Sequence, residues 1–246
     1  MLNKIFFLIF ISKLSFAFSI AFTNSMPPYY MGKDYMGIEL EIIRAAFKAS
    51  SIELDQIRNI NYKRAMTLLS KNEIHAVVDN YSNDIYNGQT GVLQSEPTLN
   101  YFDCAVSLKE KRINMSDMKS FSNHSVWAFK SARDVLGEDF KTAIEGNALY
   151  SEDHDQLLQS KLLVNKRVDI VISDKNIFMY QLKKDFPAFD TKKLIFQSMG
   201  EKTPRNLKFK DTYYLKSFNE GLKKIKSNGV YQKIHDNYKS FYTTEC

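Results

Sequence analysis

Two stretches of the chain repeat one pattern of apolar and polar positions at a constant offset. Leu68 to Asn80 reads Leu-Leu-Ser-Lys-Asn-Glu-Ile-His-Ala-Val-Val-Asp-Asn, and Leu162 to Asp174 reads Leu-Leu-Val-Asn-Lys-Arg-Val-Asp-Ile-Val-Ile-Ser-Asp. In register, the Leu pairs coincide, Ile74 falls on Val168, and Ala76-Val77-Val78 falls on Ile170-Val171-Ile172. Each copy predicts a helix end, a polar turn and a short strand rich in β-branched residues. Each strand then stops at a polar residue, Asn80 or Asp174. Strands apolar on both faces suit a parallel sheet covered by helices. In open α/β sheets, ligands collect beyond the carboxyl ends of such strands. Two such ends point to two similar α/β lobes, each turned toward one crevice. Helix-then-strand is a common order, so a single echo is also what chance supplies.

The rest of the pattern alternates strand and helix. Phe18 to Thr23 alternates as a strand, with Phe18, Ile20 and Phe22 on one side. The loop Asn24-Ser25-Met26-Pro27-Pro28-Tyr29-Tyr30 follows, stiffened by its two prolines. Such a loop holds Tyr29 or Tyr30 as a stacking surface at low entropic cost, or serves as a packed turn. Gly37 opens a helix to about Ala49, with Ile38, Ile42, Ala45, Ala46 and Ala49 as its buried stripe. Ile52 to Ile57 is expected as a strand and Tyr62 to Lys71 as a helix, and Tyr81 to Gly91 is polar and turn-rich. Thr98 to Leu108 is an extended run through Cys104, read as a crossover. Ser116 to Lys119 is a short turn, Ser125 to Phe129 a strand carrying the only tryptophan, Trp127, and Lys130 to Arg133 a helix start or a loop. Asp153 with Gln156 resembles a capping box for the helix leading into the second echo. Ile177 to Lys184 is a helix stopped before Pro187, and Leu194 to Phe196 is a candidate return crossover. Asp211 to Ser227 is a helix ended by Gly229, and Val230 to Phe241 is the last helix.

Composition adds little to this picture but bounds it. The chain has 246 residues, 44% hydrophobic and 25% charged, enough for one large domain or two modest ones. Its first residues read as a secretory signal: Lys4 is the positive flank, Ile5 to Ile11 the apolar core, and Ser15-Phe16-Ala17 the cleavage site, placing the cut after Ala17. An uncleaved anchor is the alternative; the apolar run is short for a membrane span and Lys13 interrupts it. The mature protein is therefore expected in the periplasm, soluble. Of the formal charge of +6, Lys4 and Lys13 belong to the signal, and the remaining excess is spread out. It favours acidic ligands or an anionic surface and is not a nucleic-acid footprint. An oxidising compartment permits Cys104 and Cys246 to pair, and their even count leaves the question open.

Catalytic constellations are thin. His75, His124, His154 and His235 show no metal spacing, and Glu152-Asp153-His154-Asp155 reads as a solvated, capped helix start whose members diverge. No GxSxG, HExxH or Walker-type loop is present. No catalytic residue, metal or cofactor is expected.

Six motifs, in order, resemble one family. They are Pro27-Pro28-Tyr29; Gly37-Ile38-Glu39-Leu40-Glu41; Leu68 to Val78; Ser95-Glu96-Pro97; Arg167 to Asp174; and Phe218-Asn219-Glu220 through Asn228-Gly229-Val230-Tyr231-Gln232-Lys233-Ile234. The chain thereby resembles the periplasmic solute-binding proteins of the polar amino-acid uptake class, the family-3 extracellular binding proteins. The resemblance implies an α/β, type II periplasmic-binding fold: two lobes joined by two crossover strands, closing by a hinge on a ligand. Residues 18–105 and 198–246 would form lobe one and 106–197 lobe two.

The resemblance also suggests site residues. Asp174 matches the second-lobe carboxylate that takes an amino-acid ammonium, a pairing suited to charge-assisted hydrogen bonds; it reads equally as a helix N-cap. Asn24 stands uncharged at the family's acidic position after the first strand, and Asn80 and Ser82 lie in its hydroxyl-rich loop. Where the family has Thr-x-x-Arg, the Arg holding the ligand carboxylate, this chain has Asn83-Asp84-Ile85-Tyr86, and no Arg lies between Arg64 and Arg112. That leaves the anion anchor to Arg64, Lys130 or Arg133, with Lys130-Ser131 where the family has Gly-Thr at a helix start. Tyr29 and Trp127 complete the expected ligand contacts. The implied function is capture of an amino acid or similar small polar ligand for an inner-membrane ABC permease, by a monomer that binds no nucleic acid. A periplasmic enzyme of the cyclohexadienyl-dehydratase type, or a stand-alone sensor, are the alternatives on the same fold.

Overall fold

A computed structural model describes residues 18–23, 25–32, 34–78, 91–240, 242–243 and 245–246. In chain order the elements begin with β1 (Ser19–Phe22), α1 (Ile38–Ala49), β2 (Gln56–Asn59), α2 (Tyr62–Ser70), β3 (Ala76–Val78), β4 (Leu93–Gln94), β5 (Leu99–Tyr101) and β6 (Asp103–Leu108). They continue with β7 (Val126–Phe129), α3 (Ala132–Val135), α4 (Glu138–Ile144), β8 (Tyr150–Asp153), α5 (Gln159–Val164), β9 (Ile170–Asp174), α6 (Lys175–Asp185) and β10 (Leu194–Ser198). The last are β11 (Thr203–Arg205), β12 (Leu207–Phe209), α7 (Thr212–Ser227) and α8 (Val230–Tyr238).

The echo in the sequence is an echo in space. The first sheet runs β2-β1-β3-β12-β4 and the second β8-β7-β9-β6-β10. β3 and β9 hold the same place: each lies parallel to a strand on one side, β1 or β7, and antiparallel to a strand on the other, β12 or β6. Both are wholly buried, which is why Ala76-Val77-Val78 and Ile170-Val171-Ile172 are apolar; β9 then runs on into the buried polar pair Ser173 and Asp174. Along β9, Ile170 and Ile172 enter one apolar cluster with Ala105, Val126 and Phe140. Val171 enters another, with Cys104, Leu163 and Phe178.

The two sheets are joined by crossover strands β5 and β11, which pair antiparallel with each other. β6 pairs within the second sheet from Asp103 onward, ahead of the expected boundary at 105. The first lobe's core gathers Ile20, Phe22, Ile38, Ile42, Phe47, Phe209 and Phe218. α1 buries a broader face than its expected stripe, adding Leu40, Ile43 and Phe47. The reason is α7, which packs across it so closely that a Cβ on Gly221 would stand 1.9 Å from the Ala46 carbonyl oxygen.

Two expected elements are corrected. The strand expected over Ile52–Ile57 is β2 at Gln56–Asn59, because Ile52 and Leu54 pack onto the core from a loop while Gln56 pairs with Ser19. The helix start expected at Asp153 is the end of β8; the cap lies at Asp155, whose carboxylate accepts the Leu157 N–H at 3.0 Å. Cys104 and Cys246 form a disulfide with Cα atoms 6.0 Å apart.

Candidate functional site

The loop after β1 is set by Gly37. Its φ of +126° suits glycine, and a Cβ there would stand 2.3 Å from the Tyr29 carbonyl oxygen. The Ile38 and Glu39 N–H groups donate back to the carbonyls of Pro28 and Tyr29, at 3.0 and 3.1 Å. The loop is thus folded onto the start of α1, and Tyr29 is buried, tilted against Tyr101 of β5 at 4.6 Å between ring centres.

From there the Tyr29 hydroxyl crosses to the second lobe. It donates to the Asp174 carboxylate, 3.0 Å from Oδ1 and 2.9 Å from Oδ2. Asp174 also accepts the N–H groups of Asn176 and Ile177, both at 2.9 Å, and of Phe102, at 2.8 Å. It therefore caps α6 and receives a lobe-one hydroxyl on the same carboxylate. Asn176 Nδ2 donates to the Tyr29 oxygen at 3.0 Å. Burial pushes the Asp174 carboxyl up to about 6, against the pull of these donors. Beside it, its register partner Asp103 is pushed up to about 7, by burial and then by the Asp174 charge. Further contact between the lobes includes Ile177, which joins the first lobe's core, Leu157, which packs against it, and the Tyr180 hydroxyl, which reaches Met31 Sδ at 3.4 Å.

A second constellation forms where β7 ends. Ser131 adopts a left-handed conformation, φ 70°, before α3. The N–H groups of Ser131 and Arg133 both donate to Glu152 of β8 at 2.8 Å, the Tyr150 hydroxyl donates to it at 2.6 Å, and the Lys130 ammonium lies 3.9 Å away. Burial acts to raise the Glu152 carboxyl, but these donors hold it below its ordinary value. The helix start that the sequence offers to a ligand anion thus already holds a carboxylate of the chain itself.

The expected site residues fall into distinct places. Tyr29 and Asp174 meet across the lobes, and Lys130, Ser131 and Arg133 gather around Glu152. Arg64 is exposed in the first turn of α2, where its N–H donates to the capping Asn61 Oδ1 at 2.9 Å. Trp127, partly buried, packs against Cys104, Leu163, Val171 and Phe178, because strand alternation turns it toward that core layer. Asn24, Asn80 and Ser82 lie outside the described residues. Two participants were missed. Asn176 stands two residues past the strand end, and Glu152 is one residue in an acidic run. Among the described residues no group of three His, Cys, Asp or Glu is placed to hold a metal ion, and no helix is long and apolar enough to cross a membrane.

Known structures share this arrangement. The GLUR0 ligand-binding core in complex with L-glutamate superposes with a TM-score of 0.71 at 15% identity, covering 92% of this chain and 99% of that one. A histidine kinase sensor domain with similarity to periplasmic binding proteins gives 0.69 at 12% identity, covering 90% and 95%. The arginine-, lysine-, histidine-binding protein ArtJ of Geobacillus stearothermophilus gives 0.64 at 15% identity, covering 93% and 96%. No curated protein sequence matches the chain. At such identities the likeness is one of fold: two lobes around a crevice. The model of one sequence family matches residues 18–241, nearly all of the described chain, and the chain belongs to that family, the bacterial extracellular solute-binding proteins, family 3.

Proposed function

We propose that the chain captures an amino acid or amino-acid-like solute between its lobes, in the periplasm after removal of residues 1–17, and presents it to an ABC-type permease. One observation carries this reading: a buried carboxylate at the end of a second-lobe strand, Asp174, receives a hydroxyl from a first-lobe tyrosine, Tyr29. An ammonium arriving in the crevice replaces that hydroxyl with a charged donor, a stronger partner for a carboxylate. The ligand's arrival is then coupled to a polar contact that spans the lobes. Asn24, Arg64, Asn80 and Ser82 contribute from the first lobe, and Lys130, Ser131 and Arg133 from the second.

The reading favours ligands whose amine or amide matters more than a carboxylate. No Arg occupies the loop after β3, and Glu152 already takes the Ser131 and Arg133 N–H groups. No reaction is assigned to the site. The relatives named above that bind L-glutamate or arginine, lysine and histidine support the ligand class. The test is thermal unfolding and calorimetry against amino acids, their amides, polyamines and small organic acids. Amine-bearing compounds are expected to raise the melting temperature, since a ligand at a hundred times its Kd stabilises by about 2.7 kcal/mol. Stabilisation by organic acids alone, or by nothing in the set, would overturn the reading.

A further inference from the structure

Three covalent connections, not two, join the lobes. Two are the segments around β5 and β11. The third is the C-terminal segment: α8 packs on α1 and α7 in the first lobe, and beyond it Cys246 is bonded to Cys104 of β6 in the second sheet.

This segment is wired to the Tyr29–Asp174 contact. The Thr243 N–H donates to Asn176 Oδ1 at 2.7 Å, and the Thr243 carbonyl accepts from Asn176 Nδ2 at 3.1 Å. The same Nδ2 donates to Tyr29. The Lys175 ammonium donates to the carbonyls of Glu245 and Cys246, at 3.0 and 2.7 Å. Asn176 thus spends both amide hydrogens and its oxygen on holding the segment and the tyrosine together.

The segment also lies where the lobes must bend. Glu39 of α1 holds Thr98 and Arg205, so both crossovers are fixed to the first lobe. Bending falls between these anchors and the second sheet: after Tyr101, since Phe102 and Asp103 already bond to Asp174 and Lys175, and at Gly200, whose φ is +132° and whose Cβ position faces open space. Cys104 follows Asp103 in β6. A cavity of about 530 Å³ is bordered by Asp103, Phe196 and Cys246. Another of about 470 Å³ is bordered by His235, Tyr242 and Thr243. The segment thus borders open space, and its covalent tie to the second sheet is the bond to Cys104.

We propose that the C-terminal segment is a strap whose disulfide limits how far the lobes open. The oxidation state of Cys104 and Cys246 then sets the resting width of the crevice. A dithiol reductant converts the bond to two thiols and leaves as its own disulfide, passing two electrons and two protons. The inference rests on the fold and not on the ligand, and its test is made without one, so its failure leaves the binding reading untouched.

The test is small-angle X-ray scattering of the ligand-free chain, oxidised, reduced with dithiothreitol, and as the Cys104→Ala/Cys246→Ala variant, each checked by circular dichroism. Reduced and variant protein are expected to keep their secondary structure while the radius of gyration grows by roughly 1 Å, the scale of hinge opening in a chain this size. Oxidised Asn176→Ala, which keeps the bond and loses the hydrogen bonds, is expected to scatter as the oxidised wild type. Superimposable oxidised and reduced profiles would overturn the proposal. So would loss of native circular dichroism on reduction, since the bond would then be a condition of folding. Opening of oxidised Asn176→Ala to the same extent would also overturn it, by moving control to the hydrogen bonds.

Discussion

Arg205 on the second crossover strand donates to Glu39 in the first turn of α1 at 3.1 Å, with side chains 3% and 1% exposed. The Thr98 hydroxyl lies 3.0 Å from both Glu39 Oε1 and the Arg205 carbonyl, and the Arg205 guanidinium lies 4.6 Å from the Tyr101 ring centre. One acidic residue thus gathers both crossovers onto the first lobe. A buried ion pair adds little net stability, but breaking it strands a charge. Arg205→Ala is expected to lower the unfolding free energy by about 3–5 kcal/mol in urea titration. Glu39→Leu with Arg205→Met should recover most of that loss. Additive single and double variants would mean that the two residues are not coupled.

The crevice carboxylate makes a prediction about affinity. Asp174→Asn keeps the size of the side chain and an acceptor oxygen, but removes the charge. It is expected to weaken an amine ligand about ten-fold or more, the worth of a charged hydrogen bond. Tyr29→Phe keeps the ring against Tyr101 and removes the hydroxyl that occupies Asp174. It is expected not to weaken the same ligand. Calorimetry on both variants decides, and undiminished binding by Asp174→Asn would take that residue out of the site.

Asp103 and Asp174 face each other as register partners on β6 and β9. Their carboxyls are pushed up to about 7 and about 6, well above the unfolded value near 3.8. Between about pH 4 and 7 the native state therefore holds protons that the unfolded chain has released. By that sign, their contribution to stability falls as pH rises through this window and is flat above it. Carboxyls held low, such as Asp169 at about 2, contribute the opposite slope, so the comparison must be with a variant. Asp103→Asn is expected to gain about 1–2 kcal/mol over wild type at pH 8 and nothing at pH 4, discounted because Asp103 is only half-buried. Parallel stability curves for the two proteins would contradict the assignment.

What the sequence made legible follows burial. β3 and β9 are enclosed on both faces, so their matching cores, Ala76-Val77-Val78 and Ile170-Val171-Ile172, are forced to be apolar and the repeat survives as a visible pattern. β2 and β8 occupy the matching edges of their sheets, next to β1 and β7. Half-exposed, they keep polar residues such as Gln56, Asn59, Glu152 and Asp153, and carry no strand signature. The stiff loop holding Tyr29 was readable from its prolines. Its partner was not, because Tyr29 and Asp174 are 145 residues apart and nothing local couples them. Glu152 was hidden by the wrong element: on a helix it diverges from its neighbours, whereas on a strand Tyr150 and Glu152 share a face and bond.

Glu152 is the acceptor on which the start of α3 depends. It takes two N–H groups at 2.8 Å and the Tyr150 hydroxyl, beside a serine held at positive φ. Glu152→Ala leaves the part-buried Ser131 donor without that carboxylate, while the exposed Arg133 N–H turns to water, and is expected to cost about 1–3 kcal/mol, the worth of one stranded donor. Glu152→Gln keeps one acceptor oxygen and should cost roughly half as much. Since the Glu152 carboxyl is held below its ordinary value, its contribution is present above the unfolded pKa and is lost as pH falls through the folded one. The difference between wild type and Glu152→Gln should therefore narrow in acid. Hydrogen exchange gives the local readout: the Ser131 and Arg133 amides should lose protection in Glu152→Ala, while amides of β3 in the other lobe keep theirs. Unchanged exchange at Ser131 and Arg133 would show that water replaces the carboxylate without cost.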